Sequence, residues 1–333
     1  MINQPVNKSV EIEERTYQLS YLEAFEATKR EVDKALSASP PLIGRYLEHI
    51  RKASGKFIRA KSLLACSMDM SNNVHPNAVK LAAAVEILHL ATLVHDDVID
   101  DAEVRRGVVT LHRKYGRKTA IICGDYLLAL ALRTASGVEN AENYVKFNFP
   151  DYVSRICLGE LNQHINNGNL DLSVYKYLKI ISGKTAALFE ASFLAGAVII
   201  SDNTSVHRDY MRLGRYVGMI FQLTDDCIDY EDTEASARKT VRSDFEQGVI
   251  TLPLIFAFAN EHGLKVKAAQ NALSKTELAR LVIGAGGIKQ TRVVARKYYD
   301  KAVKVIDRLD MTEEKRHYLM EILDKAYHGT KKR

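Results

Sequence analysis

Where proline falls is the strongest restriction on how this chain can fold. The 333 residues contain six prolines, at positions 5, 40, 41, 76, 150 and 253. Proline breaks helix interiors and is tolerated at their starts, so these positions mark ends and leave long stretches unbroken. Within those stretches apolar residues recur every three to four positions, and no stretch sustains strand alternation. The pattern predicts helices over Glu14–Ser37, Leu42–Lys52, Phe57–Met68, Asn77–Asp97, Thr119–Ser136, Tyr144–Asn166, Leu172–Ile200, Ser205–Asp229 and Leu252–Glu261. It ends in a helical hairpin, Gln290–Leu309 and Thr312–Tyr327. The breakers between them are short: PP, SNNVHPN, NNGN and GAGG. No low-complexity linker divides the chain, so residues 1–333 read as one all-α domain, a single large bundle of antiparallel helices.

Composition narrows the function classes. A 47% hydrophobic content supplies a core, and the longest apolar stretch, Ala186–Ile200, is interrupted by Glu190 and falls short of a bilayer span. The first residues, MINQPVNKSVEIEER, are too polar for a secretory signal. Cys66, Cys123, Cys157 and Cys227 are far apart with no CxxC, which reads as reduced core cysteines of a cytoplasmic protein. A net charge of +6 is spread over scattered bases with no nucleic-acid module. Expected partners are therefore anionic small molecules, without nucleic acid and without a membrane span.

Two acidic clusters carry the chemistry. VHDDVIDDAEVRRG follows the apolar run KLAAAVEILHLATL, and on a helix Asp96 and Asp100 share a face with Asp97 and Asp101 beside them. FQLTDDCIDYED repeats the DDxxD spacing with Asp225, Asp226 and Asp229 at the end of another apolar helix. Packed carboxylates repel and are costly to bury, so a cation must sit among them. All-oxygen clusters suit a hard divalent ion, and Mg²⁺ takes a few carboxylates completed by water and substrate phosphate. Either cluster alone could be a solvated helix end; two facing each other would hold Mg²⁺ bridged by a polyanion. Basic residues recur nearby: Arg105 and Arg106, Lys56 and Arg59 one turn apart at a helix start, then Lys184-Thr185 and Lys239. His89, two turns before Asp96, can donate to a phosphate, although alone it would read as a core histidine.

These residues resemble the trans-isoprenyl diphosphate synthase family, the head-to-tail polyprenyl synthases. The resemblance runs from about Gly55 to Pro253, followed by C-terminal helices to about 327. It rests on GKFIR, EILHLATLVHDDVIDDAEVRRG with Gly124-Asp125, GKTAALF, FQLTDDCIDY and SDFEQGVITLP in that order. It implies antiparallel helices around a deep apolar cavity, usually in a homodimer. The implied reaction elongates an allylic diphosphate with isopentenyl diphosphate and releases pyrophosphate, with about three Mg²⁺ ions per site when diphosphate is bound. By this resemblance Asp96, Asp97, Asp100, Asp225 and Asp229 hold the metal, while Asp226 and Asp101 support them. Arg105, Lys184 and Lys239 match contacts to the allylic diphosphate; Lys56, Arg59, His89 and Arg106 match the isopentenyl diphosphate site. Thr185 and Gln222 match groups beside the reacting carbons, so Lys184, Thr185 and Gln222 are the expected catalytic residues.

The chain departs from the family pattern G-K-R-x-R-P at Phe57 and Ala60. It departs again at Val108 and Val109, and at Thr240, Arg242 and Val249 in place of the usual proline, glycine and lysine. None removes a metal ligand; they bear on affinity and loop closure. An HD phosphohydrolase reading of His95-Asp96 leaves the second cluster unexplained. Terpene cyclases do not need Lys56 with Arg59, and non-catalytic subunits tend to lose the aspartates. A catalytic chain that requires a small partner stays open. Product length is read along the helix bearing Asp96: Ala91, five residues earlier and about 7.5 Å along the axis, is small, as is Thr92. Leu88 and then Ala84 follow on that stripe. An open floor there predicts a hexaprenyl to octaprenyl product; the alternatives are close helix packing at these alanines and a farnesyl or geranylgeranyl product.

Overall fold

The computed structural model describes residues 19–53, 55–139, 149–235, 245–270 and 273–329. Fifteen α-helices, a short 3₁₀ helix (Phe245–Gln247) and one two-stranded hairpin make up the regular structure of these residues. The first four helices are α1 (Tyr21–Ser37), α2 (Pro41–Arg51), α3 (Ile58–Cys66) and α4 (Pro76–Ile99). Prolines 41 and 76 open α2 and α4, where the missing N–H costs nothing. In α4 the apolar residues wrap the whole first part of the helix, so Leu81 through Leu88 are all buried. The helix ends at Asp100, beyond which Asp101 turns left-handed (φ +50°).

A hairpin follows, β1 (Val104–Arg105) paired antiparallel with β2 (Val108–Val109). Its two-residue turn, Arg106-Gly107, has positive φ at both positions, the geometry that matches strand twist. Two-residue strands carry no readable alternation, so the sequence pattern missed them and the short α5 (Leu111–Tyr115) behind them. Next come α6 (Arg117–Ser136) and α7 (Phe149–Ile165).

The single helix expected over Leu172–Ile200 is two helices, α8 (Val174–Lys184) and α9 (Ala186–Ile200), meeting at 47°. The apolar period continues across the joint, so periodicity could not show it; the polar Gly-Lys-Thr is where the chain turns. Helix α9 is buried on all sides, and α3, α4, α7 and α10 (Thr204–Ala235) pack around it. With 32 residues α10 extends about 48 Å and joins two cores. One core lies around α4 and α9; the other lies around α8 and α10 with α11 (Leu252–Asn260), α13 (Lys275–Gly284) and α14 (Gly287–Ile306). Helices α12 (His262–Ala269) and α13 went unpredicted, and α15 (Glu313–His328) closes the expected hairpin with α14.

One expectation needs adjusting. Cys157 is exposed on α7, while Cys66, Cys123 and Cys227 are buried and all four are free thiols. By length and composition α4 and α6 are apolar enough to cross a bilayer. Helix α4 instead spends its apolar surface inside the protein, whereas α6 leaves much of its own uncovered. Ala91, Leu88 and Ala84 are all buried, so the small-residue stripe lies in the interior of the bundle.

Candidate active site

The C-terminal end of α4 presents its aspartates in two directions. Asp97 is buried and accepts from Arg105 Nε at 2.6 Å, which ties the helix end to the hairpin. Asp101 accepts from Arg113 at 2.7 Å and Arg117 at 2.8 Å, an exposed ion-pair group that keeps its carboxyl below the usual range. Asp96 and Asp100, one turn apart, have no salt bridge of this kind among the described residues. Burial pushes Asp96 up to about 7, with Glu160 and Asp100 adding repulsion and Lys184 opposing it. Asp100 is raised by burial in the same surroundings.

The α8–α9 corner connects this end to the second cluster. Lys184 Nζ lies 2.8–2.9 Å from both Glu160 oxygens and carries the local positive charge beside Asp96 and Asp100. The contact depends on a close crossing of α7 and α8. A Cβ on Gly159 would sit 2.2 Å from Lys184 N, so only glycine lets the backbones approach and bring Glu160 to Lys184. The next residue, Thr185, donates its hydroxyl to Gln222 Oε1 at 2.7 Å, and Gln222 Nε2 donates to Asp226 at 2.7 Å. Asp226 also accepts from Tyr177 OH, and burial pushes its carboxyl up to about 7. Asp225 and Asp229, its repelling neighbours, sit on α10 one turn apart. Two consecutive residues at one helix break therefore join the two acidic clusters.

The basic side lies at the start of α3. Arg59 is buried over the Phe189 ring at 4.6 Å and donates from Nη1 to His89 Nε2 at 3.1 Å, while its Nε has no hydrogen-bond partner. Burial brings Arg59 down to about 10. Burial and the guanidinium groups of Arg59, Arg106 and Arg105 hold His89 well below the usual imidazole range, so at neutral pH it is uncharged. Arg106 donates to Ala53 O at 2.9 Å and fills the space beside Gly55, where a Cβ would lie 2.6 Å from its Nη1. Phe57, Asp101 and Arg106 are three of the four non-glycine residues with left-handed backbone among those described, and all flank this site. Lys56 is exposed, three residues before Arg59. Lys239, Thr240 and Arg242 lie outside the described residues.

The polyprenyl synthetase family model matches residues 40–282. Heptaprenyl diphosphate synthase component 2 of Geobacillus stearothermophilus is 33% identical over 298 residues, 86% of this chain and 90% of that one. Heptaprenyl diphosphate synthase of Staphylococcus aureus superposes with a TM-score of 0.83 at 28% identity, covering 93% of this chain and 98% of the other. A Caulobacter crescentus polyprenyl synthase, solved with calcium and isoprenyl diphosphate, gives 0.83 at 30% identity, covering 92% and 94%. The chain belongs to the polyprenyl synthetase family.

As a polyprenyl synthetase, the protein is a prenyltransferase with the all-α fold expected of it. Two residues of its site went unnoticed in the sequence. Glu160 stands in the unremarkable string LGELNQ, and only Gly159 beside it hints at a helix crossing. Tyr177 lies in a helix of ordinary apolar period, with nothing in the string to tie it to Asp226. Among the described residues no three acidic, histidine or cysteine side chains close on one point. The half-buried carboxylates of Asp96 and Asp100, raised by burial and by neighbouring carboxylates, are nonetheless the donor set a hard cation would relieve, with substrate oxygens completing its shell.

Proposed function

We propose that this protein is a cytoplasmic, Mg²⁺-dependent trans-polyprenyl diphosphate synthase that adds isopentenyl diphosphate to an allylic diphosphate, with hexaprenyl to octaprenyl products. The observation that carries this reading is the Lys184-Thr185 corner, which joins both acidic clusters to one point. Asp96 and Asp100 with Asp225 and Asp229 would hold Mg²⁺, which would neutralise charge as pyrophosphate departs. Asp97, already bonded to Arg105, would act on that metal more weakly.

The chain's own groups follow from the chemistry. Breaking the allylic C–O bond leaves a pyrophosphate more charged than before. Lys184 beside Asp96, with Arg105, stabilises that charge as it develops. The allylic carbocation must meet no water, and the apolar α9 and Phe189 beside Arg59 supply a dry wall. Thr185 and Gln222 offer oxygen dipoles to the cation without being nucleophiles under these conditions. Arg59, Arg106, Lys56 and His89 form the place for isopentenyl diphosphate, where the neutral His89 serves as the acceptor that orients Arg59. The released pyrophosphate takes the final proton.

The product range rests on relatives named for heptaprenyl products and on the small residues Ala91 and Ala84 along α4. Purified protein, farnesyl diphosphate, labelled isopentenyl diphosphate and Mg²⁺ are the test. Expected products carry six to eight isoprene units, released with pyrophosphate and silenced by chelator. Ala91→Phe should shorten them, because the ring fills space that the next unit needs. Farnesyl diphosphate alone, or no shortening, would refute the length assignment.

A second reading concerns assembly. Helix α6 exposes Ile121, Ile122 and Leu132, and α7 exposes Leu158, Leu161 and Ile165 at helical spacing. Covering these stripes by a second copy gives a homodimer. The relatives called component 2 favour a small companion subunit instead. Light scattering of the purified chain, with its unaided turnover, separates the two: an active dimer supports the first, an inactive chain the second.

A further inference from the structure

Glu86 is a carboxylate in a fully buried stretch of α4. Every residue from Leu81 to Leu88 is buried, and Glu86 itself is 6% exposed. An ionised side chain there must be hydrogen-bonded and balanced by charge. Glu86 Oε1 accepts from the backbone N–H of Ala60 at 3.0 Å, and the carboxylate also receives the N–H of Arg59. These are amides of the first turn of α3, which have no partner within their own helix. The residue in the capping position, Phe57, is left-handed (φ +53°) and supplies no side-chain cap. The cap comes from α4 instead.

The same turn of α4 holds the other end of Arg59. His89, three residues after Glu86 and on the same face, accepts from Arg59 Nη1 at 3.1 Å. Burial pushes the Glu86 carboxyl up, and the Ala60 and Arg59 amides together with the guanidinium groups of Arg59 and Arg106 oppose that and favour the carboxylate. Phe189 lies beneath the Arg59 guanidinium, and its Nε keeps an unspent donor. Backbone and guanidinium are thus fixed by two side chains of one helical turn.

We propose that Glu86 is a positioning residue for isopentenyl diphosphate: it caps α3 and offsets charge so that Arg59 and Lys56 face the substrate. This rests on the assignment of Arg59 and its neighbours to that substrate. It also accounts for a departure from the family pattern. The usual proline after the arginine has no N–H, whereas Ala60 supplies one, so the carboxylate here gains a second backbone donor.

The test uses the full-length enzyme and four variants: Arg59→Ala, Glu86→Gln, Glu86→Leu and Ala60→Pro. Both KM values, kcat and the thermal midpoint are measured, with calorimetric titration of isopentenyl diphosphate as a readout free of turnover. Glu86→Leu should raise the isopentenyl diphosphate KM and Kd about 10- to 100-fold, leaving the allylic KM within about twofold. Glu86→Gln, which keeps one acceptor, should recover part of this loss. Ala60→Pro should cost only a few-fold, since the Arg59 amide remains, and it keeps the test alive if Glu86→Leu does not fold. A fall in thermal midpoint with both KM values moving equally would make Glu86 merely structural and overturn the proposal. An unchanged isopentenyl diphosphate KM in Arg59→Ala would remove the site assignment itself. A changed one beside an unaffected Glu86→Gln and Glu86→Leu would refute only the role of Glu86.

Discussion

The two DDxxD clusters are spelled alike and built differently. In each, the second aspartate turns from the outer pair and is taken up by the protein. Asp97 goes to the guanidinium of Arg105 on a hairpin; Asp226 goes to the neutral donors Tyr177 and Gln222 inside the helical core. The first is a charge-assisted tie to a surface turn, the second a network on rigid helices. Helical geometry explains the shared division, since positions one and five share a face and position two lies about 100° around. The difference teaches that one end of the site is anchored through an ion pair to a two-stranded hairpin, while the other is held by neutral donors on packed helices.

The largest effect should come from the outer aspartates. Asp96→Ala and Asp225→Ala should each lower kcat by about 10²-fold or more in excess Mg²⁺, because under the proposed function each removes a carboxylate that would hold the Mg²⁺ neutralising the departing pyrophosphate. Circular dichroism should stay near wild type for both, and Asp96→Ala, which relieves repulsion, should not lower the thermal midpoint. Near-normal turnover by either variant would end the equivalence of the two outer pairs.

The inner aspartates should separate the clusters. Asp97→Asn weakens a buried charge-assisted bond at 2.6 Å, worth about 1.5–3 kcal/mol, and loosens Arg105. The allylic diphosphate KM should rise roughly tenfold, and Arg105→Gln in the same background should add little. Asp226→Asn keeps an acceptor for Tyr177 but can set an amide donor against Gln222 Nε2. Its loss should appear in kcat, through Thr185 and Gln222, more than in either KM. The same kinetic signature from both variants would make the clusters interchangeable after all.

How far the sequence revealed this follows the same division. The outer aspartates, Arg59 and Arg106 stand out because charge interrupts an apolar period. Lys184-Thr185 was legible as a motif, but the 47° bend it sits on was not, because both arms keep one period. The hairpin that ties Arg105 to Asp97 was invisible, since two-residue strands have no alternation and depend on a turn set by Arg106 and Gly107. Glu160 and Tyr177 are ordinary letters given meaning only by helices meeting far along the chain. Helices α12 and α13 were missed because their short apolar stripes fall among charged residues.

A smaller effect should come from Glu160, which occupies Lys184 on the first-cluster side. Glu160→Gln removes a negative charge beside Asp96 and frees the ammonium for diphosphate. The allylic KM should fall about threefold, and pyrophosphate should inhibit more tightly by a similar factor. A weaker allylic affinity would instead mean that Glu160 serves the metal directly, giving the first cluster a carboxylate partner that the second lacks.

The finest distinction is in stability against pH. Asp96 and Asp226 are both pushed up to about 7 by burial, against a usual value of 3.8. Between about pH 4 and pH 7 the folded protein keeps protons that the unfolded chain has released. Stability without metal or substrate should therefore fall as the pH rises through that window and level off above about 7. Asp96→Asn removes this burden without breaking a salt bridge, so its thermal midpoint should exceed wild type by about 2–4 °C at pH 8 and by less at pH 5. Asp226→Asn removes the same burden but disturbs the bonds to Tyr177 and Gln222, so it should gain nothing at pH 8. Equal gains from both variants would show that the Asp226 network contributes little. A loss from Asp96→Asn would show that Asp96 is stabilised by a partner, and the contrast between a strained outer carboxylate and a satisfied inner one would fall.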